Sequence, residues 1–398
     1  ITGTALPDYP VGDLREGFKD NGYRADDSVT LMGWMKDMPA EAWEKGRSVE
    51  ILRNNIFTDK QESFVAAMDS TGRFSVRVPL VNTSEIYIDI GRKGINTVVE
   101  PGETYFLLHD FSTGHVLFMG EDVRFQNELQ AHPPLYVDGY LRKGQGTVDE
   151  FRTQMEEKYR HAVEELSRCV GEHPNLSRRY RYFMESFALT GLGRSMMQAR
   201  FAVPDWQLPE DYVDFVRTKV WQRPPKPYTL CQNLGILMRD YIGHSSKAKD
   251  KVGGNAVFNA FKRLRQQGEI SMTEEEANTV EAYRLAIKEL QEKLNAEPSD
   301  SLRQRMVVEF GKSDLGQRFI SLFKRFEDVL NEEVLADNID FWKENAESVG
   351  CDSILCQIHL ARNLYRQIDN IRKPLPDRMM TKAEREIRLE GGWDIVSR

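Results

Sequence analysis

The spacing of apolar residues changes once along this chain, near residue 120. Before that point apolar and polar residues alternate, so that Phe74, Val76 and Val78 share one face. Beyond it, apolar residues recur every three or four positions, as in the stripe that begins with Val148 and Phe151. A period of two is typical of a half-buried strand, and a period near 3.6 is typical of a helix with one buried face. The pattern predicts a β-rich N-terminal region followed by a helical one.

The alternating part contains a regular series of short runs separated by turn residues. The runs are Ser28–Met38, Ser48–Asn54, Glu62–Met68, Arg73–Leu80, Glu85–Ile90, Asn96–Glu100, Thr104–His109 and Val116–Met119. Strands that recur about every 8–12 residues with turns between them are typical of antiparallel sandwiches. We therefore predict an antiparallel β-sandwich of Ig-like or prealbumin-like type over residues 25–121, after a flexible segment at 1–24.

Helix start signals support the assignment of residues 122–398 to an all-helical domain. Thr147 and Glu150 have the spacing of a capping box, and so do Thr273 and Glu276. Further helices are predicted from Pro209 onward, over Leu315–Val334 and over Ile354–Ile371. Repeats of fixed period are missing from the sequence, so a regular solenoid is not predicted. The predicted fold class is α+β.

The charge balance limits the partners that the chain can have. Its 398 residues include 54 Lys and Arg and 62 Asp and Glu, which give a formal net charge of −8. An acidic balance argues against docking of the whole molecule on nucleic acid or on anionic lipid. Two basic clusters, Arg178–Tyr182 and Lys262–Arg265, are interpreted as solvated helix faces. The sequence has no apolar run of about 18 residues, so we predict no transmembrane segment.

Motifs of known chemistry are incomplete. Gly311-Lys312-Ser313 lacks the earlier glycine of a phosphate-binding loop, and we interpret it as a turn between helices. The S-x-x-K matches at Ser246 and Ser321 lack their partner motifs. We predict no catalytic residue, no metal site and no cofactor.

Histidines and cysteines give no stronger signal. His109 and His115 fall on neighbouring strands and are interpreted as exposed hairpin residues. The four cysteines form no C-x-x-C pair and are predicted to be small buried apolar residues. A bridge between Cys351 and Cys356 would need irregular backbone, since residues five apart on a helix do not face each other.

One aromatic cluster is a candidate binding site. Trp206, Trp221 and Tyr228 lie in a proline-rich stretch and could line a groove for a peptide or a glycan. The alternative interpretation is that these rings pack loops onto helices.

Several motifs occur in an order that resembles a known family. They are V-T-L-M-G at Val29–Gly33, T-G-R-F at Thr71–Phe74 followed by Val78-Pro79, V-E-P-G-E-T-Y at Val99–Tyr105, F-M-G at Phe118–Gly120 before N-E-L at Asn127–Leu129, and L-P-E-D-Y at Leu208–Tyr212. This order resembles the N-terminal region of TlpA/ResA-type thioredoxin-like disulfide reductases, as found in Bacteroidetes. Their extension has a small β-sandwich, then helices, then a thioredoxin domain. Within this pattern, Asn127 could cap the entry into the helices.

The resemblance implies a function without a catalytic centre in this chain, because the family's W-C-x-x-C pair is missing. It implies a non-catalytic extracytoplasmic accessory or interaction region, whose partner is a covalently linked thioredoxin domain or a client protein. The chain would be a fragment of a longer reductase or a stand-alone relative. The family is exported and Ile1 is not Met, so we expect a processed chain, with its signal removed, in the periplasm or anchored to the outer membrane.

Two other functions stay open at this point. The first is a peptide- or glycan-binding module of the periplasm or cell surface that uses the aromatic cluster. The second is a hydrolase whose acid/base pair is assembled by folding, which requires convergent carboxylates or histidines with shifted pKa values.

Overall fold

A computed structural model describes residues 15–90, 94–245, 256–371 and 375–398. The chain folds into two compact units. Unit 1 comprises residues 1–245, 349–370 and 387–398, and unit 2 comprises residues 246–348 and 371–386. The predicted boundary at residue 121 falls inside unit 1, between its last strand and the helix that follows.

Eight strands occupy the N-terminal part of unit 1. They are β1 (Ser28–Lys36), β2 (Ser48–Asn55), β3 (Lys60–Ala67), β4 (Arg73–Pro79), β5 (Ser84–Asp89), β6 (Gly94–Val99), β7 (Thr104–Asp110) and β8 (His115–Met119). Each predicted run corresponds to one of them. The α+β class with a strand region before a helical region is confirmed.

The helices are α1 (Ala40–Lys45), α2 (Arg124–Ala131), α3 (Val148–Glu172), α4 (Arg178–Gln198), α5 (Glu210–Val216), α6 (Asn233–Ser245), α7 (Ala256–Gln267), α8 (Glu274–Ala296), α9 (Asp300–Lys312), α10 (Asp314–Arg325), α11 (Glu327–Ser348), α12 (Ser353–Ile371), α13 (Asp377–Glu386) and α14 (Glu390–Ser397). Unit 2 contains α7 to α11 and α13. Among the described residues, no helix combines the length and the apolar character needed to cross a membrane.

The strands form two four-stranded sheets with the orders β4-β1-β7-β8 and β3-β2-β5-β6. All neighbouring strands are antiparallel except β1 and β7, which run parallel with Leu31 opposite Tyr105. The sequence predicted antiparallel pairing, and this one pair differs because β7 joins β1 through a long connection that returns in the same direction. Alternate residues of both sheets, among them Val29 and Ile51, share one hydrophobic cluster.

Two glycine turns set the ends of these strands. Gly72 has a φ of +81°, and a Cβ there would lie 2.5 Å from the Met35 carbonyl oxygen. Gly102, after Pro101, has a φ of +80°. Both positions need the left-handed backbone that glycine adopts without steric cost.

Side-chain hydrogen bonds fix the start of α3 and join α2 to strand β8. Thr147 and Glu150 form the predicted capping box of α3. Asn127 lies within α2 and is not its cap; its side chain accepts from the Phe118 N–H (2.8 Å) and donates to the Phe118 carbonyl (2.9 Å). Because β8 is an edge strand, this amide completes hydrogen bonds that a further strand would otherwise make.

The segment before β1 is attached to the same region. The Lys19 N–H donates to the Glu100 carboxylate at 2.7 Å, and Phe18 stacks edge-on against Phe125 at 5.0 Å. Glu100 and Arg179 are both fully buried and pair at 2.7 Å. Of the segment predicted to be flexible, residues 1–14 lie outside the described residues.

Unit 2 is built on an aromatic core. Tyr283 of α8 stacks on Phe319 of α10 with centroids 3.9 Å apart, and Phe258 and Phe261 of α7 surround them. Ser313 caps α10 directly after α9, so Gly311-Lys312-Ser313 is a turn between helices, as interpreted from the sequence. The single helix predicted over Leu315–Val334 is instead two helices that meet at Phe326.

Candidate functional site

Two of the three predicted site residues contact one short segment of unit 1, Val349–Asp352. Trp221 is 5% exposed, and its indole N–H donates to the Val349 carbonyl at 2.9 Å. Tyr228 is 2% exposed, and its hydroxyl donates to the Asp352 carboxylate. Both rings therefore hold the chain where it re-enters unit 1, as the packing interpretation expected.

Asp352 connects this segment to several groups. Burial alone would raise the pKa of its carboxyl, but hydrogen bonds from Tyr228, the Leu355 N–H and Lys226 outweigh it and lower the pKa. Burial of the Tyr228 ring, together with its hydrogen bond to the Asp352 carboxylate, raises the pKa of Tyr228. Since Asp352 also caps α12 by accepting from the Leu355 N–H at 3.0 Å, these groups are structural partners of one another.

Trp206, the third predicted residue, is placed differently. It ends the 3-10 turn Pro204–Trp206 and is 60% exposed. Its φ is +56°, in the left-handed region that a bulky side chain rarely adopts. Such strain costs about 1–3 kcal/mol and is concentrated at functional sites.

Trp206 lines an open depression of about 360 Å³ together with Lys143, Phe201, Val203 and Pro204. We call this the Trp206 depression. The rings of Trp206 and Phe201 meet edge to face with centroids 5.5 Å apart. Phe201 is itself half exposed, so two aromatic rings face solvent where an apolar side chain could contact both.

Cations flank these rings. The Arg200 guanidinium lies 4.6 Å from the centroid of Phe201 and pairs with the buried Asp240 at 2.8 Å. Lys143 is exposed at the rim of the Trp206 depression. Exposed rings with a flanking ammonium favour an apolar or aromatic group that stands beside a negative charge.

The irregular segment 133–140, which precedes Lys143 in the chain, crosses α4 closely. A Cβ at Gly191 would lie 2.7 Å from the Val137 carbonyl oxygen, so only glycine allows this close approach. The Gly139 N–H donates to the Ser195 hydroxyl at 3.2 Å. Tyr140, exposed on this segment, has its ring centroid 5.9 Å from the Arg194 guanidinium.

Glu85 is the strongest candidate for acid/base chemistry. It is buried on β5, and desolvation raises the pKa of its carboxyl to about 7. Its oxygens accept from the Gln232 N–H (2.9 Å) and from the Gln232 side-chain amide (3.1 Å), and Gln232 in turn accepts from Asn54 at 2.7 Å. These partners are amides, and a hydrolase needs a second acid or base within reach of the same substrate.

The histidines and basic clusters are in part more buried than the sequence suggested. His109 is buried and stacks on Phe111 at 4.2 Å, so it is not the exposed hairpin residue that we expected. Arg179, predicted on a solvated face, is fully buried against Glu100. In the ranges that the structure describes, no three His, Cys, Asp or Glu residues are arranged to hold a metal ion.

Sequence reasoning missed Phe201 and Lys143. Phe201 follows a long apolar helix without a break in pattern, and Lys143 lies in a loop more than 50 residues away. The one available signal was the stretch Arg200–Trp206, in which an arginine, a phenylalanine, a proline and a tryptophan fall within seven residues.

Comparisons with protein-family models, with curated proteins and with solved structures returned no significant match. The geometry of unit 1 is therefore the basis on which a function is proposed below.

Proposed function

We propose that this chain is a non-catalytic interaction module that binds an extended segment of a client polypeptide at the Trp206 depression. The observation that carries the proposal is Trp206 itself, an exposed tryptophan held at a φ of +56° beside the exposed ring of Phe201. A bulky residue keeps a strained backbone where the surrounding structure imposes it, and exposed residues of this kind are concentrated at ligand sites.

A peptide fits the lining better than a glycan does. Sugar hydroxyls need several fixed polar side chains for orientation, and Lys143 supplies the one polar side chain among the five residues that line the Trp206 depression. A peptide that presents a phenylalanine next to an aspartate would place its ring against Trp206 and Phe201 and its carboxylate near Lys143. Such aromatic anchors beside charged groups are typical of binding hot spots.

By the family resemblance, this module would belong to an extracytoplasmic thioredoxin-like disulfide reductase, where it would recognise the client or position a linked thioredoxin domain. Gly72 and Gly102 support this, because the resembling motifs put glycine where the backbone needs positive φ. We further propose that the two sheets form a sandwich of the Ig-like or prealbumin-like kind, which the hydrophobic cluster shared by both sheets supports.

Replacing Trp206 by glycine is the most direct test of peptide binding at the Trp206 depression. Glycine removes the ring and relieves the positive-φ strain, so Trp206→Gly should weaken binding at least about tenfold while thermal stability stays the same or rises. The probe is a fluorescein-labelled peptide with phenylalanine between two aspartates, followed by fluorescence anisotropy. Lys143→Glu should weaken the same binding, and more so at low salt.

The matched control is Val65→Thr, which alters another exposed apolar residue, on β3, that lies outside the lining of the depression. Its binding should equal that of the unaltered chain. Equal peptide binding by Trp206→Gly would overturn the proposed site. Preference for a soluble oligosaccharide such as maltoheptaose over the peptide would establish the glycan alternative instead.

A further inference from the structure

Cys351 and Cys356 occupy the two positions of a helix N-terminus that meet in a hydrophobic staple. Asp352 is the N-cap of α12, since its carboxylate accepts from the Leu355 N–H at 3.0 Å. Cys351 is then the residue before the cap, and Cys356 is the fourth residue of the helix. Side chains at these two positions pack against each other where the chain enters a helix.

This arrangement changes the expectation from the sequence. Five-residue spacing separates side chains within a helix, but Cys351 precedes the helix and follows Gly350, whose φ is +78°. The Cys356 thiol lies 3.6 Å from the Cys351 carbonyl oxygen. The hydrogen bond between the two thiols, together with burial, raises the pKa of Cys351.

Exposure separates this pair from the buried cysteine of the chain. Cys231 is buried, whereas Cys169, Cys351 and Cys356 are half-buried, so the prediction that all four cysteines are buried is right for Cys231 and wrong for the other three. Of these three, Cys169 lies on α3. Partial exposure gives a disulfide in solution access to these thiols, and the attacking form is the thiolate, which the raised pKa of Cys351 makes scarce at neutral pH.

We propose that Cys351 and Cys356 form a reversible thiol–disulfide site that exchanges with small-molecule disulfides such as glutathione disulfide. One cysteine thiolate attacks a sulfur of glutathione disulfide, forms a mixed disulfide and releases one glutathione thiolate. The second cysteine thiolate attacks the cysteine sulfur of the mixed disulfide and releases the second glutathione. Two thiols lose two electrons and two protons, and glutathione disulfide gains the electrons. This proposal does not depend on the Trp206 depression.

The bond would act on the segment that Trp221 and Tyr228 hold. It would tie the residue before Asp352 to the first turn of α12, while Asp352 pairs with Tyr228 and Lys226. The disulfide would therefore limit fraying at the start of α12, and reduction would leave the N-cap and the thiol contact to hold it.

Thiol counting tests the site. The full chain is equilibrated in glutathione buffers from fully reduced to fully oxidised, quenched in acid, unfolded, alkylated and weighed. Reduced protein should take up four alkyl groups, one for each cysteine. Oxidised protein should take up two, and peptide mapping should find Cys351 joined to Cys356, with full recovery of four after reduction.

Two cysteine variants test whether the disulfide joins Cys351 to Cys356. Cys169→Ser should still lose two alkylatable thiols on oxidation, whereas Cys351→Ser should lose none to an internal bond. Tryptophan fluorescence of the whole chain should shift on oxidation in the first variant, because Trp221 contacts Val349, and not in the second. Alkylation of all four cysteines in every buffer, or a bridge that includes Cys169, would refute the proposal. Cys351→Ser keeps the Asp352 N-cap of α12, so we expect this variant to fold. Circular dichroism checks that it does.

Discussion

Unit 1 buries several charged residues, whereas the described part of unit 2 buries none. In unit 1, Glu100, Arg179 and Asp240 are completely buried, and Arg362 is 2% exposed. In the described part of unit 2, the buried polar residues are the uncharged Thr279 and Asn345, while ion pairs such as Arg263 with Asp337 remain partly exposed. A buried charge must be paired, whereas a surface pair contributes little. The two units should therefore respond differently to the loss of a charge.

The difference follows from the kinds of secondary structure that pack together in each unit. Arg179 is the second residue of α4, and Glu100 lies in the turn between β6 and β7, so their pair links a helix to a sheet. Arg362 of α12 donates to the Ile56 carbonyl in the turn between β2 and β3, at 2.7 and 2.9 Å, and to the Gly235 carbonyl of α6 at 2.7 Å. Unit 2 joins helices to helices through aromatic rings, which need no directional partner.

The largest effect should come from Glu100→Ala in unit 1. This change leaves the fully buried Arg179 guanidinium without its carboxylate and should lower the free energy of unfolding by about 3–5 kcal/mol. Urea denaturation measures the loss, and hydrogen exchange with mass spectrometry assigns it to unit 1. The double variant Glu100→Leu with Arg179→Met should recover much of the stability, since it removes both charges. A loss below about 1 kcal/mol would show that the pair is no better than a surface ion pair.

Glu85 gives unit 1 an expected pH dependence. Its pKa is about 7 in the folded chain against 4.5 for a glutamate side chain in water, so between these values the folded state holds a proton that the unfolded state has released. The folded state therefore gains stability from this proton at low pH and loses it as pH rises through 7, by an amount on the order of 3 kcal/mol. The stability of the unaltered chain relative to Glu85→Gln should therefore fall from pH 5 to pH 8, because the glutamine side chain does not titrate.

A second group titrates with the opposite sign and serves as a check on the Glu85 slope. Burial lowers the pKa of His359 to about 3, so its contribution to stability is lost as pH falls below its ordinary value near 6.5. The Glu85 effect must therefore be taken as the difference between the unaltered chain and Glu85→Gln at each pH. An unchanged slope in Glu85→Gln would show that the carboxyl is ionised in the folded chain throughout this range.

Local patterns predicted the elements well, and the contacts between distant elements poorly. Alternation and turn residues located each strand, and the Thr147 and Thr273 capping boxes located two helices, because these signals act within a few residues. The parallel pairing of β1 with β7 could not be predicted, since it depends on which edge the chain returns to. The break at Phe326 was missed because the apolar period continues across it.

In the candidate site, too, the local features were predictable from the sequence and the contacts between distant residues were not. The proline-rich sequence marked Trp206 as a candidate site residue together with Trp221 and Tyr228. It could not show that Trp206 is exposed while the other two are buried, because all three lie in the same stretch. The positive φ of Trp206 and the proximity of Lys143 are consequences of tertiary structure. Burial of Arg179 was equally hidden, since its neighbours Arg178 and Arg181 are ordinary partly exposed residues.

The smallest effect should come from unit 2, where Asp337→Asn removes one partner of Arg263. The two groups meet at 2.6 Å with about a third of each side chain exposed, and Arg263 keeps Glu333 at 2.7 Å. Solvent screens such a pair, so the free energy of unfolding should fall by about 0.2–1 kcal/mol, and the difference should vanish in 1 M salt, where the screening length is about 3 Å. Urea denaturation followed by hydrogen exchange of peptides from unit 2 measures the transition. A salt-independent loss comparable to that of Glu100→Ala would mean that unit 2 also depends on desolvated charge, and the contrast between the units would fail.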